Sequence, residues 1–136
     1  MILLNFKSEK QENEFYSGSL DTRMSILVYA LAGYLYDKFN YKLTINEVYR
    51  SIDEQKLIYP EDWEMHPNIH GEWRAVDIRD YNMGDEIRAA AYDFLRHFVY
   101  SGDKKSFLRH TIIGIHFHLQ VDGDLTTEIT NGNDKD

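Results

Sequence analysis

Residues 111–121 read Thr-Ile-Ile-Gly-Ile-His-Phe-His-Leu-Gln-Val, and large apolar side chains alternate along them with polar or small ones. Because successive side chains of a β-strand point to opposite faces, this alternation predicts a strand. Its apolar face would carry Ile113, Ile115, Phe117, Leu119 and Val121. Its other face would carry Gly114, His116, His118 and Gln120. The stretch therefore predicts a sheet that packs on a helix with one face and presents two imidazoles on the other.

Two more stretches alternate in the same way and extend this sheet. Residues 73–79 would place Val76 and Ile78 on one face, opposite Trp73, Ala75 and Asp77. Residues 42–50 would place Leu43, Ile45 and Tyr49 on one face, opposite Thr44, Asn46, Val48 and Arg50.

Apolar residues at helical spacing predict helices that cover the sheet. We expect one helix over residues 24–39, one that begins near Asp85 and stops before Gly102, and a short one over residues 53–59 that Pro60 ends. The predicted fold class is α+β, a small, mostly antiparallel sheet with helices packed on one face and polar side chains that converge in a cleft on the other.

Length, composition and charge restrict the function. A chain of 136 residues is the size of one domain, so we expect a single domain over residues 1–136, with a loosely attached lead-in at residues 5–19 and a flexible tail over about residues 127–136. The formal net charge of −8 argues against nucleic acid as a partner, because phosphate binding needs a basic surface. No stretch is typical of a membrane span or a signal peptide. We therefore expect a protein that is cytoplasmic at synthesis and has no membrane partner. We also expect a monomer.

Three residues predict a metal site. The chain has no cysteine, so any zinc ion would be held by His, Asp or Glu. If His70 lies in the loop that enters its strand, Asp77 projects from the open face of that strand, and His118 projects from the same face of another. Two imidazole nitrogens and one carboxylate, with water in the fourth position, are a catalytic type of zinc site. A His and an Asp with six residues between them, as His70 and Asp77 are, occur often by chance, and so does His-x-His, as in His116 to His118. The occurrence of both motifs on the open faces of two predicted strands favours Zn²⁺.

These residues also resemble a known family. The run from His70 to Asp77, His-x-x-Trp-Arg-Ala-Val-Asp, resembles the His-x-x-Gly-x-Ala-x-Asp signature of the zinc D-alanyl-D-alanine peptidases. That superfamily includes phage L-alanyl-D-glutamate endolysins and the amino-terminal domain of hedgehog proteins. His116-x-His118 resembles its closing motif, and residues 48–55 resemble its strand-to-helix element, a Tyr-Arg-Ser followed by a Gln. The resemblance covers about residues 42–122.

The resemblance implies roles for individual residues. It assigns zinc to His70, Asp77 and His118, and makes Arg50 an anchor for a substrate carboxylate or carbonyl oxygen. It makes His116 a group that binds the oxyanion or transfers a proton, and Gln55 and Trp73 substrate contacts. From the residues alone, other roles are equally open. Arg50 could form a surface ion pair with Asp53 or Glu54. His116 could be a solvent-exposed strand residue without a function, and Trp73 could serve only in packing.

The sequence also departs from the family pattern. The family's Gly is Trp73 here, and its Ser two residues before the first His is Asn68. The carboxylate that acts as general base shortly before the last His is replaced by apolar side chains, Ile115 and Ile112. The substitutes that the sequence offers are Glu72, Glu47, Asp122 and His116. Spacing does not discriminate among the three carboxylates, so His116 is the provisional choice for acid–base work.

The predicted function is therefore that of a zinc metallopeptidase that hydrolyses peptidoglycan peptides containing a D-amino acid. A short chain without a wall-binding domain fits a protein that a phage lysis system releases to the cell wall. One alternative is a catalytically weak or inactive zinc-binding module of the same fold, acting as a binding or virion protein. Another is a structural or virion protein without metal.

Overall fold

The computed structural model describes residues 2–95, 97 and 116–121, and the backbone alone of residues 99–101, 104–105 and 108–110. The strands are β1 (Leu4–Phe6), β2 (Leu43–Glu47), β3 (Ala75–Arg79), β4 (Val99–Ser101), β5 (Lys104–Lys105), β6 (Leu108–His110) and β7 (His116–Gln120). The helices are α1 (Glu9–Phe15), α2 (Thr22–Phe39), α3 (Ile52–Ile58) and α4 (Asp85–Leu95). The protein is α+β, as the sequence predicts.

The main sheet has five strands in the order β1-β2-β3-β7-β6. The pair β1–β2 is parallel and the other three pairs are antiparallel, which confirms a mostly antiparallel sheet. Strands β4 and β5 form a separate two-stranded sheet. In the centre of the main sheet, β3 and β7 pair without a register shift, from Ala75↔Gln120 to Arg79↔His116.

The core lies between α2, α4 and one face of the sheet. The apolar stripe of α2 is fully buried at Met24, Leu27, Val28, Leu31 and Leu35. It belongs to one cluster with Ala91 and Leu95 of α4 and with the inward side chains of the strands, which are Leu43, Ile45, Val76, Ile78, Phe117 and Leu119. The predicted apolar faces of residues 73–79 and of the described part of residues 111–121 are thus confirmed.

The helix predictions agree with the structure near their starts. Helix α2 covers the stripe predicted over residues 24–39, and its N-terminal amide at Arg23 donates to the Asp21 side chain. Helix α3 begins one residue before its prediction, where Ser51 and Glu54 form a capping box. Helix α4 begins at Asp85 as predicted and is described to Leu95. The stop predicted just before Gly102 was wrong, because Val99–Ser101 form strand β4, which pairs with β5.

The prediction of a loose lead-in at residues 5–19 was wrong. Strand β1 pairs with β2, with Leu4 beside Leu43, and Leu4 and Phe15 are both buried in the core. A three-residue edge strand takes its hydrogen bonds from a neighbour that lies about forty residues away in sequence. Local periodicity over so short a stretch therefore does not reveal it.

The alternation predicted through residues 42–50 was also wrong at its end. Strand β2 ends at Glu47, and its register against β3 shifts between Ile45 and Glu47. An irregularity of this kind changes which face the following residues take. Val48, predicted on the open face, is fully buried in the core, while Tyr49 stacks on Trp73.

Some predictions fall outside the described residues. They are the first half of the strand predicted at 111–121, residue Asp122 and the tail at 127–136. Across the part of the chain that the structure describes, no helix combines the length and the apolar character needed to cross a membrane.

Candidate metal centre

The structure brings the three predicted ligands together. Asp77 on β3 lies directly opposite His118 on β7 in the strand register. His70 lies in a short 3₁₀ turn, His70–Glu72, that precedes β3. One ligand atom from each residue lies within 4.8 Å of the others, a spacing at which the group could hold one metal ion. We call these three residues the triad.

The His70 ring is oriented for a ligand. Its Nδ1–H donates to the backbone carbonyl of Val48 at 2.9 Å, which leaves a lone pair on Nε2. That Nε2 is buried, lies 3.2 Å from Oδ1 of Asp77, and forms no hydrogen bond with any residue that the structure describes. A buried ring nitrogen held in this way by a backbone carbonyl is what a metal-binding imidazole requires.

The His118 ring completes the site. Its Nε2 faces Oε1 of Gln120 at 3.0 Å, and its Nδ1 faces Oδ1 of Asp77 at 2.9 Å. A ring whose two nitrogens both face oxygen acceptors needs a proton on each, or a cation in place of one. Oδ1 of Asp77 thus meets a nitrogen from each of two imidazoles, and a divalent cation fits this donor set.

The charges of the triad are coupled. Burial alone lowers the pKa of His70, but the negative charge of Asp77, with that of Glu47 and the Val48 carbonyl, outweighs burial and raises the pKa above its ordinary value. Burial alone raises the pKa of Asp77, but the two imidazoles His70 and His118 outweigh it and hold the pKa well below its usual range. Asp77 is therefore a carboxylate at neutral pH, which is the form that binds a cation.

The triad lies in a cleft of about 800 Å³. His116 also lines it, with its Nε2 3.5 Å from Oδ2 of Asp77. Apolar side chains of the α3 end and of the following loop form part of the wall, namely Ile58, Tyr59, Pro67 and Ile69. Cationic side chains from the N-terminal segment, Lys7 and Lys10, also line the cleft. The cleft thus has room for a peptide beside the triad.

Arg50 lines the cleft as well, but its partner is not the one that the sequence alternative names. The guanidinium donates two hydrogen bonds to the Glu47 carboxylate, from Nε to Oε2 at 3.1 Å and from Nη2 to Oε1 at 2.5 Å. Although burial alone lowers the pKa of Arg50, the bonds and charge of Glu47 raise it above its ordinary value. Because the guanidinium binds Glu47, the alternative ion pair with Asp53 or Glu54 was wrong. Glu54 instead caps α3.

Gln55 and Trp73 do not line this cleft. Gln55 is buried, accepts a hydrogen bond from Arg50 Nη1 at 2.9 Å and donates one to the carbonyl of His66 at 3.1 Å. It therefore holds Arg50 in place. Trp73 stacks on Tyr49 with ring centroids 4.6 Å apart and has a left-handed backbone, with φ of 58°. Such a backbone favours glycine, and the pattern that the sequence resembles has Gly at this position.

Three groups beside the triad were not identified from the sequence. The Val48 carbonyl and the Gln120 amide were missed, and Glu47 was only one of several carboxylates considered as the general base. The Val48 carbonyl and the Gln120 amide orient the two imidazoles, and Glu47 brings Oε1 to 3.6 Å from Nε2 of His70. Gln120 shares the open face with His118 at a spacing of two residues, a signal that could have found it. The contact of the Val48 carbonyl comes from the irregular end of β2, for which the sequence has no signal.

Comparisons with known proteins found no matching protein-family model, no matching curated protein and no matching solved structure. Support for a function therefore comes from the geometry of the triad and from the sequence motifs.

Proposed function

We propose that the protein is a zinc-dependent peptidase whose ion is held by His70, Asp77 and His118. The observation that carries the proposal is the buried lone pair of His70 Nε2. It faces Asp77 at 3.2 Å without a hydrogen bond among the described residues, while the Val48 carbonyl fixes the ring. Nitrogen and carboxylate ligands without thiolates are a donor set that Zn²⁺ accepts in hydrolases.

Each cleft residue has a part in this proposal. A bound divalent cation would supply Lewis acidity, which polarises a carbonyl and makes water more acidic. Arg50, held in place by Gln55, offers a fixed positive charge beside the triad. His116 lines the cleft, with its Nε2 3.5 Å from Oδ2 of Asp77, and in this proposal it donates a hydrogen bond to the developing oxyanion.

The proposed substrates are peptidoglycan peptides that contain a D-amino acid. This choice rests on the resemblance of residues 42–122 to the zinc D-alanyl-D-alanine peptidases and on a cleft that combines apolar and cationic walls. Release to the cell wall by a phage lysis system, and action as a monomer, belong to the same proposal.

The test is cleavage of purified muropeptides by protein prepared without a histidine tag. We expect cleavage after addition of one equivalent of Zn²⁺, and none with excess chelator or in the His118→Ala variant. Mass spectrometry of the products identifies the bond. Cleavage that persists in the chelator and in His118→Ala would contradict the proposal.

A second candidate is a metal-binding module without turnover. The observation that favours it lies in the sequence, where Ile112 and Ile115 replace the carboxylate that the family places before its last His. Zinc bound at one equivalent, with no cleavage of any muropeptide, would support this candidate.

A further inference from the structure

The carboxylate that the family pattern would place before His118 has a counterpart elsewhere in the cleft. Glu47 is the last residue of β2 and pairs with Asp77 in the register of the neighbouring strand β3. Its side chain lines the cleft and is 24 % exposed, whereas that of Asp77 is 6 % exposed. A water molecule can therefore reach Glu47 from the cleft.

The Glu47 carboxylate also lies beside the triad. Its Oε1 is 3.6 Å from Nε2 of His70, the nitrogen whose lone pair points into the site. A group 3.6 Å from a ligand atom is close enough to contact a water molecule that sits beside that atom. The end of β2 thus supplies a carboxylate on the cleft side of the triad.

Arg50 and Gln55 fix the orientation of this carboxylate. The guanidinium binds both oxygens of Glu47, and Gln55 holds the guanidinium from the other side at 2.9 Å. A bidentate fork of this kind fixes the plane of a carboxylate. Because Arg50 donates hydrogen bonds to both oxygens of Glu47, this carboxylate is a poorer metal ligand than Asp77. The oxygens of Asp77 face imidazoles instead.

The other candidate carboxylates among the described residues are poorly placed. Glu72 does not line the cleft, is 60 % exposed, and its Oε1 is bound by Arg74. Glu54 lines the cleft, but its Oε1 accepts the backbone amide of Ser51 and its Oε2 lies 3.4 Å from Lys10.

We propose that Glu47 is the catalytic base and that Arg50 is the residue that positions it, an inference that rests on the proposed peptidase function. The oxygen of a water molecule forms a bond to the amide carbonyl carbon, the π electron pair of the C=O bond moves to the carbonyl oxygen, and one water proton passes to Glu47. The C=O double bond then re-forms as the C–N bond breaks. The electron pair of the C–N bond stays on nitrogen, and nitrogen takes the proton back from Glu47. The new acid ionises and the amine is protonated through solvent, so the products are a carboxylate and an ammonium.

The experiment compares Glu47→Gln with Glu72→Gln as a matched control, and measures muropeptide hydrolysis and zinc affinity by competition with a chromophoric chelator. For Glu47→Gln we expect kcat to fall by about 10²- to 10⁴-fold, with zinc affinity lowered by less than about 100-fold, the range for residues that support a ligand without being one. Glu72→Gln should match the wild type in both. Glu47→Asp, which keeps the charge but shortens the side chain, should keep zinc and show a smaller loss of kcat.

Arg50→Lys tests the positioning role. It keeps a positive charge but loses the fork, so kcat should fall by about tenfold or more while zinc affinity stays near that of the wild type. An unchanged kcat in Arg50→Lys would overturn the positioning role.

The outcomes separate this inference from the proposed function. If the wild type cleaves muropeptides and Glu47→Gln cleaves them equally well, Glu47 is not the base and the peptidase proposal stands. If Glu47→Gln loses more than about 100-fold in zinc affinity, Glu47 is a ligand and the inference fails. If the wild type binds zinc but cleaves nothing, the peptidase proposal fails and the inference fails with it.

Discussion

The two faces of the central strand pair β3–β7 share one backbone but carry different side chains, apolar on one face and polar on the other. On one face, Val76 and Ile78 pair with Leu119 and Phe117 and are fully buried against the helices. On the other face, Asp77 pairs with His118 and both side chains reach the cleft. Because side chains alternate along a strand, each face can change without the other. The core face should therefore determine stability, and the cleft face should determine metal binding.

The largest effect on stability should follow from Phe117→Ala, on the core face. Phe117 is fully buried, so its removal leaves a cavity and should lower the free energy of unfolding by about 3–5 kcal/mol. Chemical denaturation of the metal-free protein measures this. A loss below about 1 kcal/mol would show that the core face does not carry the stability that its burial indicates.

The neighbouring substitution His118→Ala should have the opposite profile. Removal of one of three ligands should weaken zinc binding by on the order of 100-fold or more, since even supporting residues outside the ligand set contribute about 10- to 100-fold. The metal-free protein should lose less than about 2 kcal/mol, because His118 is partly exposed. Isothermal titration with Zn²⁺ gives the affinity, and unchanged affinity would remove His118 from the site.

A smaller effect should follow from Gln120→Ala. Gln120 is no ligand, but its Oε1 accepts from Nε2 of His118 and so selects Nδ1 for the cation. We expect zinc affinity to fall by about 10- to 100-fold with little change in the unfolding of the metal-free protein. Equal affinities of variant and wild type would show that the strand alone orients the His118 ring.

A rise in pH should lower the stability that His70 gives the metal-free protein, but should raise the affinity for zinc. The raised pKa of His70 means that its charged form stabilises the metal-free fold below the ordinary value of 6.5, and this stabilisation is lost as pH rises through the folded value. Zinc must displace the same proton, so its affinity should increase with pH, by up to about tenfold per unit for each proton released. Thermal unfolding with chelator or with zinc, from about pH 6 to 8, measures both trends. Affinity that does not depend on pH would contradict the role of His70.

The depressed pKa of Asp77 acts at lower pH. Its carboxylate contributes stability that is present above the ordinary value of 3.8 and is lost as pH falls towards the folded value. Acid unfolding of Asp77→Asn should therefore depend less on pH in this range than that of the wild type.

Period-two alternation was sufficient to predict β3, β7 and two residues of the triad, Asp77 and His118. Asp77 and His118 have apolar neighbours on both sides, Val76 and Ile78 in one strand and Phe117 and Leu119 in the other. The hydrophobic effect thus fixes which face each of them takes. His70 was placed by its spacing from Asp77 and by the resemblance.

What the sequence did not predict depends on contacts between distant segments. Strand β1 is too short for a periodic signal, and the register shift near Glu47 follows from the pairing of β2 with β3. That same shift places Val48 in the core and Glu47 beside His70. The partner of Arg50 could not be chosen from spacing, because Glu47, Asp53 and Glu54 all lie within four residues of it.

The most direct test of the triad is a calorimetric titration of Zn²⁺ into the tag-free protein, run in parallel with Asp77→Asn. The wild type should bind one ion per chain, and the variant should bind none at the same concentrations. An absence of binding by the wild type, or one ion bound equally well by both proteins, would contradict a site built from His70, Asp77 and His118.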